Sequence, residues 1–343
     1  LKPRRTLTQA DVVATKGVDI SGAKVVVTGG AGFIGSHLTR ALIERGAAHV
    51  TVIDSLRYGD LTNLGGIRGV TVIKHTLGTN SVDRLDEILQ GQDLLFHLAA
   101  EKHNQSKDSP YDVIRANIDG SLQVFTAAAK GGVRKIMYSS SLYAYGRVSG
   151  ANLNESDLPS PRTVYGMTKL AGEHLLAHVC REFGISYSNL RYFFVYGPKQ
   201  FAGMGYKSVI VKNFERLLKG EQPIIFGDGN QTLDYIFIDD IIEATIRAME
   251  TDTEGAVINA GRGEDVSVTA LLKTMCEILG VDFKPIYQAA DSTAGTRRVG
   301  DTGRMKTLLQ WTPQIDLIEG LSRTVESMKS QGRDAVSSSR THV

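Results

Sequence analysis

Lys24-Val-Val-Val-Thr28 followed by Gly29-Gly-Ala-Gly32-Phe-Ile-Gly35 decides how the chain folds. An unbroken β-branched run marks a strand covered on both faces, because a half-exposed strand would alternate. From Phe33 the period changes: Phe33, Ile34, Leu38, Ala41 and Leu42 recur at helical spacing, and Gly46 stops the helix. The Gly29-x-x-Gly32-x-x-Gly35 spacing lets the chain turn tightly, brings backbone N–H groups close to a pyrophosphate and packs the helix on its strand. The helix N-terminus adds partial positive charge for the same anion. A glycine turn without a ligand is the plainer reading, and Asp54 argues against it. It ends the second strand, 19 residues beyond Gly35, where a carboxylate can accept hydrogen bonds from both adenosine ribose hydroxyls. A 2′-phosphate would be repelled there, so NAD is favoured over NADP, although Arg57 follows closely.

Outward from this unit the alternation repeats. Strands are expected over 49–54, 70–73, 93–97, 134–138 and 186–192, with helices over 83–89 and 164–183. Ile114, Ile118, Leu122, Phe125 and Ala129 predict one face of another long helix. Repeated β-α-β units imply right-handed crossovers and a doubly wound parallel sheet, an α/β, Rossmann-like fold. Beyond Phe194 the regularity fades. A Gly-rich loop covers 198–205, a helix 209–218, and short strands 223–226 and 233–238 flank the Gly227-Asp-Gly229 turn. Asp239 and Asp240 read as caps, with Asp240 the N-cap of a helix running to Met249. A strand at 257–259 returns to the sheet, and helices follow around 269–279 and 317–328. The expected organisation is an N-terminal extension over 1–20 and a cofactor domain over 21–194, to which 235–261 returns. A smaller C-terminal substrate lobe comes from 195–234 and 262–330, and a polar, frayed tail covers 331–343.

Hydrophobic residues make up 42% and charged residues 22%, which supports a real core and excludes a disordered or coiled-coil chain. A net charge of +2 offers no field for nucleic acid or an anionic membrane. No apolar run approaches the ~18–20 residues of a spanning helix, and residues 1–20 lack the apolar stretch of a secretory signal. Cys180 and Cys276 sit in helical segments without metal-ligand spacing. No metal site is expected, and a reducing, cytoplasmic setting is the simplest reading.

Tyr165 and Lys169 lie four apart on a predicted helix, so both project from one face. A tyrosine is a poor base at neutral pH, with an ordinary pKa of about 10. A nearby ammonium and a positively charged nicotinamide ring both favour the phenolate. Ser141 follows the fifth strand, at the end where cofactors bind in doubly wound sheets, and its hydroxyl can share the proton path.

At these residues the sequence resembles the extended short-chain dehydrogenase/reductases, in particular their nucleotide-sugar epimerase/dehydratase group. The resemblance runs from about Lys24 to Met328. It rests on Thr28–Gly35, His97-Leu-Ala-Ala100, Asn117, Ser139-Ser-Ser141, Tyr145-Gly146, Tyr165-Gly-Met-Thr-Lys169, Arg191-Tyr-Phe193, Tyr196-Gly-Pro198 and Gly227-Asp-Gly229. It implies Tyr165 as catalytic base, Lys169 on the nicotinamide ribose and Ser141 on the sugar hydroxyl. The NAD site it implies comprises Gly29, Gly32, Phe33, Ile34, Gly35, Asp54, Leu98, Ala99, Ala100, Lys102, Asn117 and Ser139, with Tyr165 and Lys169. It also implies NAD that stays bound through the cycle, a nucleotide-sugar substrate and a homodimer joined by a four-helix bundle.

All such enzymes can begin by oxidising the sugar C4 hydroxyl to a ketone. The 4,6-dehydratases carry an Asp-Glu pair just after the strand-end Ser/Thr, where this chain has Leu142 and Tyr143; related decarboxylases carry Glu at the place of Tyr143. Elimination needs one group to remove a proton and another to donate one, and Leu142 does neither. The expectation is therefore 4-epimerisation of a UDP-hexose or UDP-hexuronate, with hydride returned to the opposite face. Decarboxylase, dehydratase or ketoreductase chemistry is the alternative, and a non-catalytic NAD-binding sensor or scaffold is a further one. Several residues depart from the family pattern. Phe194 stands where many members place Asn near the diphosphate, and Leu233 replaces a phosphate-binding Arg. The Thr76-Leu77-Gly78 region lacks the Asp that often holds adenine. Arg297 or Arg298 could supply the missing charge, and Arg297 is expected with Ser141, Tyr165 and Phe194 in the substrate site. Lys207 and Lys212 read first as helix-surface lysines, with a sugar carboxylate or phosphate as alternative partner. His103 could face cofactor or sugar; His37, His97 and Trp311 read as packing residues.

Overall fold

The computed structural model describes residues 17–79, 82–146, 150–200, 207–253, 255–291 and 293–339. Most of the expected N-terminal extension, residues 201–205 of the expected Gly-rich loop with the residue after it, and the last four residues lie outside the described residues. β1 (Lys24–Thr28) leads into α1 (Phe33–Glu44), β2 (His49–Asp54), β3 (Val70–Lys74), α2 (Val82–Leu89) and β4 (Leu94–His97). Two short helices, α3 (Gln105–Asp108) and α4 (Pro110–Ile114), pass through a π-turn at Arg115–Asp119 into α5 (Gly120–Gly131). β5 (Lys135–Ser141), α6 (Val164–Phe183) and β6 (Ser186–Tyr192) follow, then β7 (Phe194–Tyr196), α7 (Val209–Leu218), β8 (Ile224–Phe226), β9 (Thr232–Leu233) and β10 (Tyr235–Phe237). α8 (Ile238–Glu250), β11 (Val257–Ala260), β12 (Val266–Ser267), α9 (Val268–Leu279), β13 (Ile286–Gln288), β14 (Arg297–Arg298), α10 (Gly303–Leu309) and α11 (Leu317–Ser339) complete the order.

Seven strands form one sheet in the order β11-β6-β5-β4-β1-β2-β3, every pair parallel. This is the doubly wound arrangement that the β-α-β repetition predicts, and the late strand β11 does return to it beside β6. The β1 run shows why alternation is absent. Val25 and Val27 pack into one core, with α1 and α8, while Val26 packs into the other, with α5 and α6. Residues of the later segments, from Ile210 to Val325, belong to the first of these cores. The remaining described strands make small sheets: β7 with β10, β8 with β13, and β9 between β12 and β14.

Five expectations need correction. Ile114 and Leu122 are exposed, at 40% and 38%, and do not share the buried face of Phe125 and Ala129. The inward line instead runs one position earlier, through Val113, Asn117, Ser121 and Val124. The polar members of that line are invisible to a count of apolar residues. Ile238 opens α8 rather than ending a strand, and Phe237 is the N-cap. Asp240, in the first turn, accepts N–H groups of Gln314 and Ile315, both at 2.9 Å, so it anchors the chain before α11 instead of capping. Ser141 is the last residue of β5 rather than its successor, and α11 continues to Ser339, past the expected end near Met328.

Candidate active site

The β1–α1 turn is shaped by close approach of backbones. Gly29 has φ +73°, and a Cβ there would sit 2.9 Å from the Ala99 nitrogen. A Cβ on Gly35 would sit 2.1 Å from the Gly29 oxygen, so helix and turn fit only without one. These glycines, with Gly32, Phe33 and Ile34, line a cleft of 480 Å³ bounded also by Asp54, Leu98–Ala100, Lys102 and Ser139–Ser141. Asp54 is 7% exposed; its carboxylate accepts the Ala31 N–H at 3.0 Å and the Leu56 N–H at 2.8 Å. A carboxylate has about four acceptor positions, so capacity remains for two ribose hydroxyls. The glycine cradle and this carboxylate fit a dinucleotide.

Thr28 and His97 lock the floor of the cleft. The Thr28 Oγ1 accepts the N–H groups of Leu98 and Ala99, both at 3.1 Å, and so donates to His97 Nδ1 at 2.7 Å. His97 therefore donates from Nε2 to the Ser121 hydroxyl at 2.9 Å. Full burial pushes its pKa down to about 3, so it stays neutral. The packing reading of His97 holds.

Asn117 is buried but does not line the cleft. Its amide accepts the Glu101 N–H at 2.7 Å and donates to the Glu101 carbonyl at 3.2 Å and the Thr168 hydroxyl at 3.1 Å. It clamps the loop after β4 to α6, which makes it a positioning residue for both walls.

Thr163 caps α6 by accepting the Gly166 N–H at 3.0 Å, which sets the first turns that carry Tyr165 and Lys169. Tyr165 is hydrogen-bonded to Ser141, and its backbone N–H reaches the Ser106 hydroxyl at 2.9 Å. The Lys169 Nζ donates to the Ser139 carbonyl at 2.7 Å and stands 5.8 Å from the centre of the Tyr165 ring. Ser139 also donates to the His97 carbonyl at 3.2 Å. The three residues expected to carry the chemistry are thus brought together on the cleft wall.

Their acidities are not what proximity alone suggests. Burial pushes the Tyr165 phenol above its ordinary value, and the hydrogen bond from Ser141 opposes that only in part. Burial also pushes Lys169 down to about 7, with Glu173 resisting. The protein's own groups keep Tyr165 protonated. Its phenolate needs positive charge brought into the cleft.

Around this set lie residues that the sequence left open. His103 stacks on Tyr143 with ring centres 4.1 Å apart and meets Tyr165 edge-on at 6.0 Å; both line the cleft, as does Phe194. Lys102 lines it too, its Nζ 4.3 Å from the Tyr58 ring centre. Arg298 stands 5.7 Å from the Tyr143 ring. Arg297 does not reach the cleft: it pairs with Asp265 and donates to Asn152 at 2.8 Å. Lys207 pairs with Glu215 at 2.7 Å, and Lys212 sits over Phe226 at 4.9 Å, so both have partners outside the cleft. The His37 Nε2 donates to the Pro198 carbonyl at 3.1 Å, tying α1 to the chain after β7. Cys180 and Cys276 are buried and unpaired with each other, and among the described residues no acidic, histidine or cysteine group could hold a metal.

Two buried carboxylates escaped the sequence reading. Glu173 makes a bidentate pair with Arg191 at 2.9 and 2.8 Å and binds the Ser140 hydroxyl, tying α6 to β5 and β6. It stands one helical turn beyond Lys169 on the Tyr165 face, a spacing that could have revealed it. Asp234 accepts N–H groups from Arg262, Gly263 and Gly300, and burial raises it to about 6. Its partners are distant in sequence, and no local pattern marks them.

Comparison with known proteins agrees with this geometry. The model of the NAD dependent epimerase/dehydratase family matches residues 25–261. The UDP-glucose 4-epimerase of Mycolicibacterium smegmatis is 30% identical over 318 residues, covering 90% of this chain and all of that one. The crystal structure of UDP-glucose 4-epimerase from Thermotoga maritima with UDP-glucose superposes with a TM-score of 0.84 at 36% identity, covering 90% of this chain and 99% of that one. A UDP-N-acetyl-α-D-glucosaminuronate decarboxylase of Bacillus cytotoxicus is 29% identical over 322 residues, covering 88% of this chain and 97% of that protein. Among the described residues no helix is long and apolar enough to cross a membrane. With the glycine cradle, the Asp54 carboxylate and the Ser141–Tyr165–Lys169 wall in place, the chain belongs to the NAD dependent epimerase/dehydratase family.

Proposed function

We propose that the protein inverts C4 of a nucleotide sugar, a UDP-hexose or UDP-hexuronate, through a 4-keto sugar. The carrying observation is what accompanies Ser141, Tyr165 and Lys169. The two positions after Ser141 are Leu142, 4% exposed, and Tyr143, whose phenol burial raises. Among the residues lining the cleft, the carboxylates are Asp54, held by backbone N–H groups of the β1 and β2 loops, and Glu101, paired with Arg57. Among the described residues no carboxylate accompanies Ser141 to move protons at C5 and C6, so elimination lacks its carboxylate acid and base.

Bound NAD supplies the hydride acceptor and, in the return direction, the hydride donor. Tyr165 takes the C4 hydroxyl proton and gives it back, Ser141 holds that hydroxyl in line, and Lys169 holds the cofactor ribose. Reduction of the ketone on its other face leaves no net redox change. Arg298, beside Tyr143, is better placed than Arg297 to meet the substrate's negative charge. Exposed Ile114, Leu122 and Met167, on α4, α5 and α6, suit a homodimer joined through these helices. Two buried free cysteines suit a reducing, cytoplasmic setting.

Incubation with a panel of sugar nucleotides, read by mass spectrometry and proton NMR, tests the reading. An isomer of unchanged mass with inverted C4 supports it. Loss of water or CO₂, or gain of two hydrogens, transfers the assignment to dehydratase, decarboxylase or reductase chemistry. Failure of every sugar nucleotide to reduce bound NAD favours a sensor.

A further inference from the structure

The loops that follow β2 and β4 touch each other, and the sheet order gives that contact a meaning. β1 lies between β2 and β4 and pairs with both. A contact between the two loops therefore passes over the end of β1, where the Gly29–Gly35 turn forms the dinucleotide cradle. Arg57 Nη1 meets Glu101 Oε1 at 2.8 Å, and the Gln105 amide donates to the Tyr58 hydroxyl at 2.8 Å. The Lys102 Nζ stands over the Tyr58 ring. Tyr58, Glu101 and Lys102 all line the cleft.

Both sides of the contact are held from behind. Asn117 grips the Glu101 backbone at its N–H and its carbonyl. On the other side Leu56 adopts φ +59°, a left-handed conformation uncommon for a non-glycine residue, and its N–H is fixed by Asp54. That turn sends Arg57 and Tyr58 back toward the β4 loop. The carboxylate suited to the ribose is thus also the one that sets the loop.

We propose that Arg57 and Glu101, backed by Tyr58 and Gln105, form a clasp across the mouth of the cofactor cleft that slows dinucleotide release. An enzyme that oxidises and re-reduces one sugar must keep the same dinucleotide until the hydride returns. That consequence rests on the epimerase reading; the release rate does not, so the two can fail separately. Glu101 is 13% exposed and Arg57 46%, which places the pair between a surface and a buried ion pair.

The holoenzyme is loaded with NADH and mixed with excess NAD, and the fall in bound-NADH fluorescence gives the release rate. Arg57→Ala and Glu101→Gln should each release NADH on the order of fivefold faster, the upper end for a partly exposed pair. In the double variant the effects should not multiply, because one contact is lost once. Release as slow as in the parent in both single variants overturns the clasp. So does a double variant whose acceleration is the product of the two, since the residues would then act independently.

Discussion

The end of the cleft with the glycine turn and the proposed sugar end are built by different means. At the first, backbone does the holding: Gly29, Gly32 and Gly35 within one short turn, with a carboxylate already seated on two N–H groups. At the second, Ser141, Tyr165, Lys169, His103, Tyr143 and Phe194 arrive from separate segments, and burial displaces the acidities of several of them. The first end should tolerate changes of chemistry but no added atom. The second should tolerate loss of an atom in folding and fail in chemistry.

Tyr165→Phe should show the contrast most strongly. Turnover is expected to fall by about 10²–10⁴, the range for removal of a general base, while NAD binding measured by calorimetry stays within a small factor. A large loss of NAD affinity would erase the distinction between the ends. Gly35→Ala should act the opposite way. Its Cβ would press on the Gly29 carbonyl at 2.1 Å, and an overpacked site loses about 1–3 kcal/mol, read as weakened NAD binding and a lower unfolding temperature. Unchanged affinity in that variant would mean the turn is slacker than its geometry.

Asn117→Ala tests what joins the ends. It removes partners from the Glu101 N–H and carbonyl and from the Thr168 hydroxyl, and an orphaned buried group costs about 1–3 kcal/mol. Chemical unfolding should register that loss, together with a fall in turnover that Tyr165 geometry would explain. A further effect concerns pH. Lys169 is pushed down to about 7 in the folded chain from an ordinary value of 10.5. Between those values the unfolded chain binds more protons at this site, so stability of the cofactor-free protein should rise with pH from about 7 toward 10. Lys169→Met should flatten part of that rise, with Lys135, pushed down to about 8, contributing the remainder. An equal slope in variant and parent would show that Lys169 is not desolvated as described.

The same contrast governs what could be read from sequence. The β1–α1 turn was legible because its function depends on spacing along one short segment, and Tyr165 and Lys169 because a helix repeats every turn. Strands β1, β2 and β6 have the bounds expected of them. The buried line into α5 was not legible, since its members Asn117 and Ser121 are polar while the apolar Leu122 faces outward. Arg297 and Arg298 are adjacent and chemically alike. Only the folded β14 shows that Asp265 takes the first and Tyr143 faces the second. Proximity of Lys169 predicts an acidified Tyr165. Burial of both groups, a property of the whole fold, reverses that in the absence of further charge.

The central claim is that hydride leaves C4 and returns to the same carbon. A UDP-sugar carrying deuterium at C4, converted by the enzyme and examined by NMR and mass spectrometry, addresses it directly. The account predicts an epimer that keeps its deuterium at C4 with no change in mass. A product lighter by water or CO₂, or an epimer whose deuterium has washed out, would contradict it.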